Sequence, residues 1–244
     1  MVVSPRSVLN KVVPGRSKRL IMVAIDKGGV GKSFFCIRLI EWMRLNGLSF
    51  AAFDPDYSNS TLTRFHPDAK FLDIRHKENL DHIVESLDAT DLILVDGVGA
   101  HQSIFLDWME ETDLLNVKQQ LGLSVTLVLI IEADKDTVHQ AGEAAKRAGN
   151  LVDWLVVKNM KQSGHSPRIY ENSMARQNLL ANGAKEITLG KLPEHLSELL
   201  QTKSWTIDHA LEQAELNLLD RQRLVAYSRG WFEQLDKVKS ILLP

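Results

Sequence analysis

The sequence predicts a single α/β domain with a mainly parallel, twisted sheet and helices on both of its faces. Short apolar runs alternate with segments of helical periodicity along most of the chain, which is the pattern of a parallel sheet covered on two sides. The chain has 244 residues, of which 44% are hydrophobic, so it can bury a sizeable core. No internal repeat or low-complexity linker divides it after residue 20, which favours one domain.

The strand and helix candidates follow one another in a regular order. The first apolar run, residues 20–25, stops at a glycine-rich segment, and residues 32–45 then place apolar side chains three and four positions apart until Gly47 ends the helix. The remaining candidates continue this alternation. Strands are predicted at residues 50–54, 91–96, 123–131, 151–159 and 185–189, and helices at 80–87, 137–149, 170–182, 194–201 and over most of 206–242.

Residues 1–19 differ from the rest of the chain in charge. They contain five basic residues and no acidic ones, and removing these five from the net charge of -2 leaves -7 for residues 20–244. We therefore interpret residues 1–19 as a basic, flexible arm and residues 20–244 as the folded domain. Two roles for the arm stay open: non-specific contact with DNA phosphates, and a disordered tail with no ligand. The five basic residues are Arg6, Lys11, Arg16, Lys18 and Arg19.

Composition excludes several classes of protein. No segment approaches the ~20 uninterrupted apolar residues of a membrane span, and the opening residues lack the apolar stretch of a secretory signal. The single cysteine, Cys36, can form neither an intramolecular disulfide nor a cysteine-based metal cage. The eight histidines show no H-x-H or H-E-x-x-H spacing, which argues against a transition-metal site. We expect a cytoplasmic protein without stable insertion into a membrane.

The most informative segment is the glycine-rich stretch D-K-G-G-V-G-K-S at residues 26–33, which lies between the first strand and the first helix. Glycines at these positions let backbone N–H groups face an anion, and the positive end of the helix dipole adds to the attraction. In such a loop Lys32 would contact phosphates and the Ser33 hydroxyl would bind Mg²⁺. The segment therefore predicts a nucleotide-phosphate site.

The sequence K-G-G-x-G-K-[ST] within this stretch resembles the deviant Walker A motif of the ParA/MinD superfamily of P-loop ATPases, with Asp26 where the standard motif has its first glycine. The resemblance implies a P-loop NTPase domain that binds ATP and Mg²⁺ and forms an ATP-dependent homodimer with slow hydrolysis. In that family the first lysine of the motif reaches the nucleotide of the partner subunit, which implies a catalytic role for Lys27. The implied nucleotide contacts are Gly28, Gly29, Val30, Gly31, Lys32, Ser33 and Phe34.

Two acidic strand ends supply further candidates. The Asp54-Pro55-Asp56 segment after the second strand is similar to the family's switch I, which implies that Asp56 orients the attacking water and that Asp54 is an outer-sphere Mg²⁺ ligand. Asp96 ends a later strand in the Walker B position, which implies a further Mg²⁺ ligand. The residues that follow depart from the family pattern, since Tyr57-Ser58-Asn59 and Gly97-Val98-Gly99-Ala100 replace its usual switch sequences.

Base recognition is implied at two later positions. In the superfamily an asparagine after a late strand contacts adenine, and a proline-containing loop covers the base. Asn159 and Pro193 occupy similar places in this sequence. An asparagine after a strand is also a common turn residue, so a purely structural role for Asn159 stays open.

Some branches of the superfamily are disfavoured. The nitrogenase iron protein holds an iron–sulfur cluster through cysteines, whereas Cys36 lies on the helix after the loop and is expected in the core. MinD-like members bind membranes through a C-terminal amphipathic helix, but the polar side of the last helix here carries both signs of charge, which favours packing on the body or on a partner. Its apolar side consists of Leu224, Tyr227, Trp231, Leu235, Val238 and Leu242.

The C-terminal segment is similar to the TraL-like ATPases encoded with conjugative plasmid-transfer genes. The similarity lies in a helix preceded by Pro193 and in a last helix that contains Arg221-Gln222-Arg223. The resemblance as a whole implies an ATPase switch in the positioning, partition or conjugal transfer of DNA or another large cargo, with a protein partner that stimulates hydrolysis. Two alternatives stay open: a nucleotide-dependent adaptor with little turnover, and a small-molecule P-loop kinase or ligase.

Overall fold

A computed structural model of the chain describes residues 17–57, 59–99, 102–161 and 167–244, with the side chain of Gln102 left out. Within these ranges seven strands form one sheet in the order β3-β2-β4-β1-β5-β6-β7, and every neighbouring pair is parallel. The strands are β1 (Lys18–Val23), β2 (Ala51–Asp54), β3 (Lys70–Phe71), β4 (Leu92–Val95), β5 (Leu123–Ile131), β6 (Asp153–Asn159) and β7 (Lys185–Leu189).

Helices connect these strands and flank the sheet, so the predicted fold class is confirmed. The helices of the described ranges are α1 (Lys32–Leu45), α2 (Thr61–Phe65), α3 (Asp81–Glu85), α4 (Gln102–Glu111), α5 (Leu114–Val117), α6 (Lys135–Ala148), α7 (Arg168–Glu171), α8 (Met174–Ala181), α9 (Glu194–Lys203), α10 (Ile207–Glu212) and α11 (Leu218–Lys237). The predicted limits of α1, β5 and β7 agree with the structure. The prediction missed α2, β3, α4 and α5, although the buried Phe105, Leu106, Trp108 and Met109 of α4 have helical spacing.

The order of the strands decides where a ligand can bind. Within the sheet, β4 and then β2 lie to one side of β1, and β5 lies next to β1 on its other side. In open α/β sheets ligands bind beyond the carboxyl ends of the strands, where the strand order reverses. The glycine-rich loop follows β1 at this place.

The apolar core has two parts. The larger cluster surrounds the sheet and includes α1, α4 and α6 as well as the buried face of α11. A separate, smaller cluster joins α9 and α10 to α11; it consists of Leu192, Leu196, Leu200, Ile207, Ala210, Leu216 and Leu224. The α9–α10 pair is therefore held by its own small core.

The limit between arm and domain lies earlier than residue 20. Lys18 and Arg19, which the sequence analysis assigned to the flexible arm, belong to β1 and pair in register with β4 and β5. They were misassigned because both are charged, whereas Arg19 is only 6% exposed. Residues 1–16, with the other three basic positions of the arm, lie outside the described residues. The basic charge available to an arm is accordingly smaller than the sequence suggested.

The Arg19 guanidinium fastens the C-terminal segment to the sheet. Its Nε donates to the carbonyl of Leu243 at 2.5 Å, and Nη1 donates to Thr126 Oγ1 at 2.8 Å and to Asp153 Oδ2 at 2.6 Å. Nη1 also reaches the carbonyl of Ile241 at 3.2 Å. A buried arginine is tolerated here because carbonyl, hydroxyl and carboxylate oxygens surround it.

The last helix packs against the body. Leu224, Trp231 and Leu235 of α11 are buried, and the Trp231 ring meets Phe35 of α1 edge to face with centroids 5.9 Å apart. Its apolar side is therefore covered by the chain itself. Among the described residues, no helix has the length and apolar character needed to span a membrane.

Candidate functional site

The loop between β1 and α1, residues 26–33, has the backbone of an anion cradle and is called the phosphate loop below. Gly29 and Gly31 have φ of 77° and 96°, in the left-handed region that favours glycine. A Cβ at Gly31 would also lie 2.9 Å from Asn159 Nδ2. Since α1 begins at Lys32, its first N–H groups face the loop. A negatively charged group bound here would be attracted by both backbone and helix dipole.

Asn159, at the end of β6, braces this loop. Its Nδ2 donates to the carbonyl of Val30 at 2.8 Å, and its Oδ1 accepts from the backbone N–H of Lys161 at 2.9 Å. Asn159 is 7% exposed and lines the cleft described below. The side chain predicted to contact adenine is therefore engaged with the loop backbone.

Lys32 carries a buried ammonium group with no carboxylate within 4 Å in the described part of the chain. Lys32 is 7% exposed, and its Nζ donates to the carbonyl of Lys27 at 2.6 Å. Burial lowers the pKa of Lys32, against the attraction of the more distant Asp96. A positive charge held out of water without a paired carboxylate costs free energy that a bound anion would recover.

Lys27 lies at the rim of the loop and is held by its own chain. Its Nζ donates to Asp136 Oδ2 at 2.8 Å and lies 3.6 Å from Asp134 Oδ2, both at the start of α6. The hydrogen bond to Asp136 raises the pKa of Lys27. The Lys27 side chain is 38% exposed, so it is reachable from solvent while paired. The backbone N–H of Lys27 donates to Gln140 Oε1 at 3.2 Å, which fixes the loop to α6.

Asp96 lies behind Ser33, just after β4. Asp96 is 2% exposed; one carboxylate oxygen accepts from the backbone N–H of Gly97 at 2.7 Å and lies 3.5 Å from the Cys36 thiol. Burial raises the pKa of Asp96 to about 6, and a hydrogen bond with Ser33 opposes that rise. Cys36 is fully buried, as expected, and burial raises the pKa of its thiol.

The backbone after β4 passes very close to the phosphate loop. A Cβ at Gly97 would lie 2.4 Å from the carbonyl oxygen of Val23 and 2.8 Å from Lys32 Cδ. A Cβ at Gly99 would lie 3.1 Å from the carbonyl oxygen of Asp26. The close approach therefore requires a glycine at residue 97, one of the positions where the sequence departs from the usual switch pattern.

Asp54 and Asp56 have different surroundings, although they are two residues apart. Asp56 is partly exposed at the cleft, and its Oδ1 accepts from the backbone N–H of Asn59 at 3.1 Å. Asp54 is 1% exposed and does not line the cleft. Its carboxylate accepts from the backbone N–H of Asp56 at 3.0 Å and from the N–H and hydroxyl of Thr63 at 2.9 and 3.1 Å.

These residues border a cleft of about 760 Å³. Its lining comes from the phosphate loop, from the segments after β2 and β4, which form one wall, and from α9 with the residues before it, which form another. Pro193 is not among the lining residues, although its neighbours Leu192 and Glu194 are. The lining residues are Gly28, Gly29, Gly31, Lys32, Ser33, Phe34, Asp56, Asn59, Thr61, Gly97, Val98, Gly99, Asn159, Lys161, Leu189, Gly190, Lys191, Leu192, Glu194, Ser197 and Gln201.

The sequence analysis missed part of this lining. Thr61, Lys161, and the α9 residues Ser197 and Gln201 come from three separate segments that only the fold brings together. No local motif marks them. By contrast, the phosphate loop, Asp56 and Asn159 stand at the carboxyl ends of strands and were found by that position.

Residues 21–208 match the family model described as the CobQ/CobB/MinD/ParA nucleotide binding domain. The chain belongs to this family. The match begins within β1 and ends in α10, so it includes the phosphate loop, the segments after β2 and β4, and α9. The match confirms the ParA/MinD resemblance that residues 27–33 indicated.

The chain is also similar to individual proteins. The chain is 26% identical to the Escherichia coli protein TraL over 243 aligned positions, which include 89% of this chain and 97% of that protein. Among solved structures it is similar to an Archaeoglobus fulgidus nucleotide-binding protein in complex with ADP, with a TM-score of 0.51, 18% identity and 89% and 91% of the two chains covered. It also matches the Aquifex aeolicus cell division protein MinD, with a TM-score of 0.47, 12% identity and 88% and 97% coverage.

Proposed function

We propose that the protein binds ATP with Mg²⁺ in this cleft, forms a homodimer around the nucleotide and hydrolyses it slowly, as a switch in the positioning, partition or conjugal transfer of DNA or another large cargo. A protein partner would stimulate the hydrolysis, and the setting would be the cytoplasm. The observation that carries the proposal is the buried Lys32 ammonium beside the phosphate loop, which has no carboxylate within 4 Å in the described residues.

The phosphate loop would hold the triphosphate through its backbone. On binding, Lys32 would exchange the carbonyl of Lys27 for phosphate oxygens, which are better partners because they are charged. Gly29 and Gly31 would keep the N–H groups turned towards the anion. Phe34, which lines the cleft in the first turn of α1, would contact the nucleotide next to Ser33.

The residues behind the loop fit a Mg²⁺ ion that is held mostly by the nucleotide. Among the described residues, no group of three or more histidine, cysteine or acidic side chains could hold a metal by itself. Mg²⁺ in nucleotide sites needs only one or two protein oxygens beside phosphates and water. Ser33 and Asp96, whose side chains are close enough for Ser33 to lower the pKa of Asp96, supply such a pair. When bound, the ion would neutralise charge on the phosphates.

Two side chains would then act on the reaction itself. Asp56 would accept a hydrogen bond from the attacking water and orient it, since its carboxylate lines the cleft at the end of β2. Lys27 would leave Asp136 and contact the phosphates bound by the partner subunit, as the family motif implies. The basic arm, of which residues 1–16 lie outside the described ranges, would be the place for any non-specific contact with DNA.

One set of measurements tests this proposal: ATP turnover and mass in solution for the wild type, Lys27→Ala and Asp56→Ala. We expect an ATP-dependent dimer that persists in Asp56→Ala without turnover and is inactive in Lys27→Ala. Lys146→Ala is the matched control, because Lys146 is also a lysine paired with a carboxylate of α6 but lies outside the phosphate loop. ATP binding without turnover in the wild type would favour the adaptor, and phosphate transfer to a small acceptor would favour the kinase.

A further inference from the structure

A single buried carboxylate holds both ends of the loop that follows β2. Asp54 Oδ1 accepts from the backbone N–H of Asp56 at 3.0 Å, at the start of this loop. Asp54 Oδ2 accepts from the N–H and the hydroxyl of Thr63 at 2.9 and 3.1 Å, just beyond its end. Asp54 itself is 1% exposed, at the end of β2.

Asp54 provides a hydrogen-bond acceptor for the first turn of α2, which the side chain of the N-cap residue does not provide. Ser60, the N-cap, has φ of 42° and its side chain makes no capping hydrogen bond; its hydroxyl donates instead to the carbonyl of Asp56 at 2.9 Å. The N–H groups of a first helical turn lack partners within the helix. Asp54 therefore caps α2 from the neighbouring strand, with a negative charge at the positive end of the helix.

The loop between these two attachments supplies one wall of the cleft. Asp56, Asn59 and Thr61 line the cleft, whereas Asp54 and Thr63 do not. A side chain that reacts with a bound substrate must keep its position to within a fraction of an ångström, and attachment at both ends restricts the loop that carries it.

We propose that Asp54 is a positioning residue, which holds Asp56 at the cleft through its bonds to the Asp56 N–H and to Thr63. The inference rests on the proposed ATPase function and deepens it. It differs from the role implied by the family resemblance, in which Asp54 is an outer-sphere Mg²⁺ ligand. Both carboxylate oxygens of Asp54 accept hydrogen bonds from Asp56 and Thr63.

Thr63 separates the two roles, because only the positioning role requires it. Thr63→Val keeps the shape of the side chain and removes one hydrogen bond to Asp54, whereas Thr63→Ser keeps that bond. Asp54→Asn removes the charge and leaves a single oxygen as acceptor for both attachments. Ser173→Ala is the control for simple loss of a helix cap, since Ser173 caps α8 and does not line the cleft.

The first experiment is steady-state ATP hydrolysis with titration of ATP and of Mg²⁺. We expect Asp54→Asn to lower kcat about 10- to 100-fold with KM for ATP and the half-saturating Mg²⁺ concentration nearly unchanged, because misplacement of a reacting group acts on the chemical step. Thr63→Val should lower kcat in the same direction by a smaller factor, and Thr63→Ser and Ser173→Ala should match the wild type. A raised Mg²⁺ requirement in Asp54→Asn, with Thr63→Val like the wild type, would overturn the inference.

The second experiment does not depend on turnover. Amide hydrogen exchange of the nucleotide-free protein reports directly on the N–H groups of Asp56 and Thr63. We expect both to be protected in the wild type and to lose protection together in Asp54→Asn, with the amides of β2 unchanged. Rapid exchange of both amides in the wild type would overturn the inference. Protected amides in a wild type that does not hydrolyse ATP would instead reject the proposed function, so the two failures are distinguishable.

Discussion

Lys27 Nζ lies 2.8 Å from Asp136 Oδ2 of the same chain, at the first turn of α6. The lysine that is proposed to contact the partner's nucleotide is therefore paired within its own subunit. In the proposed dimer this pair must open before Lys27 can contact phosphates. The pair would thus oppose the proposed dimerisation.

Removal of the Asp136 charge should make dimerisation easier. We expect Asp136→Asn to lower the ATP concentration needed for half-maximal dimer formation about two- to fivefold, because an exposed ion pair contributes modestly to the monomer. Light scattering during an ATP titration measures this. Glu143→Gln is the control, since Glu143 pairs with Lys146 elsewhere on α6. An unchanged or raised ATP requirement in Asp136→Asn would show that the pair does not restrain Lys27.

Gly97 should not tolerate a side chain. A Cβ there would lie 2.4 Å from the carbonyl oxygen of Val23, a backbone atom that cannot move aside cheaply. We expect Gly97→Ala to destabilise the fold by about 1–3 kcal/mol and to weaken nucleotide binding, since Lys32 Cδ lies 2.8 Å from the same position. Urea unfolding measures the stability.

The control for this substitution is Gly230→Ala. Gly230 lies inside α11 with no heavy atom within 4 Å of a Cβ. There alanine should stabilise the protein by up to about 1 kcal/mol, because it is a better helix former. Equal unfolding midpoints for Gly97→Ala and Gly230→Ala would contradict the close approach of Gly97 to the carbonyl oxygen of Val23.

Arg19 should contribute strongly to stability, although it is a charged residue at the start of the first strand. Arg19→Met should cost about 2–4 kcal/mol, because carbonyls of the C-terminal segment and the Asp153 carboxylate lose their donor. Lys18→Met, which affects only a 3.9 Å contact with the exposed Asp88, should change stability by less than about 0.5 kcal/mol. Urea unfolding with limited proteolysis of residues 239–244 checks both, and equal stabilities would contradict the contacts assigned to Arg19.

His66 should make stability fall in mild acid. It is 1% exposed, and its Nδ1 lies 3.0 Å from Arg44 Nη1, so that nitrogen must accept while Nε2 donates to the carbonyl of Ile37 at 3.3 Å. Burial, aided by the charge of Arg44, lowers the pKa of His66 from 6.5 to about 4. Between these values the unfolded chain binds a proton that the folded chain excludes, so stability is complete above pH 6.5 and falls as the pH approaches 4.

The size of this effect is on the order of 3 kcal/mol between pH 7.5 and pH 4. Urea unfolding at several pH values measures it. The decrease should be clearly smaller in His66→Gln and unchanged in His82→Gln, because His82 is an exposed residue beside Glu85. A His66→Gln variant that loses as much stability in acid as the wild type would assign the acid sensitivity to other groups.

The part of the site that lies at the ends of strands was predictable from the sequence. Each predicted element lies at or just after the end of a buried strand: the phosphate loop, Asp56, Asp96 and Asn159. Parallel strands bring their carboxyl ends to one edge of the sheet. Their contacts were not predictable in the same way. Asn159 proved to hold the backbone of the phosphate loop, which depends on the distance between two loops rather than on a motif.

Features that depend on distant parts of the chain were misjudged or missed. Arg19 looked like part of a basic arm, but the carbonyl that accepts from its Nε belongs to a residue 224 positions later. The α9 wall of the cleft, with Ser197 and Gln201, carries no local signal because these side chains become relevant only where α9 packs beside α1. Long-range packing decided both cases.

The central claim is that Lys27 of one subunit acts on the nucleotide of the other, and a mixing experiment tests it most directly. Lys27→Ala and Asp56→Ala, each inactive alone, would be combined and assayed for ATP turnover. A mixed dimer has one site with its own Asp56 and the Lys27 of its partner, so we predict recovery of about a quarter of the wild-type rate per chain if subunits pair at random. A mixture as inactive as its components, with mixed dimers shown to form, would contradict action across the dimer.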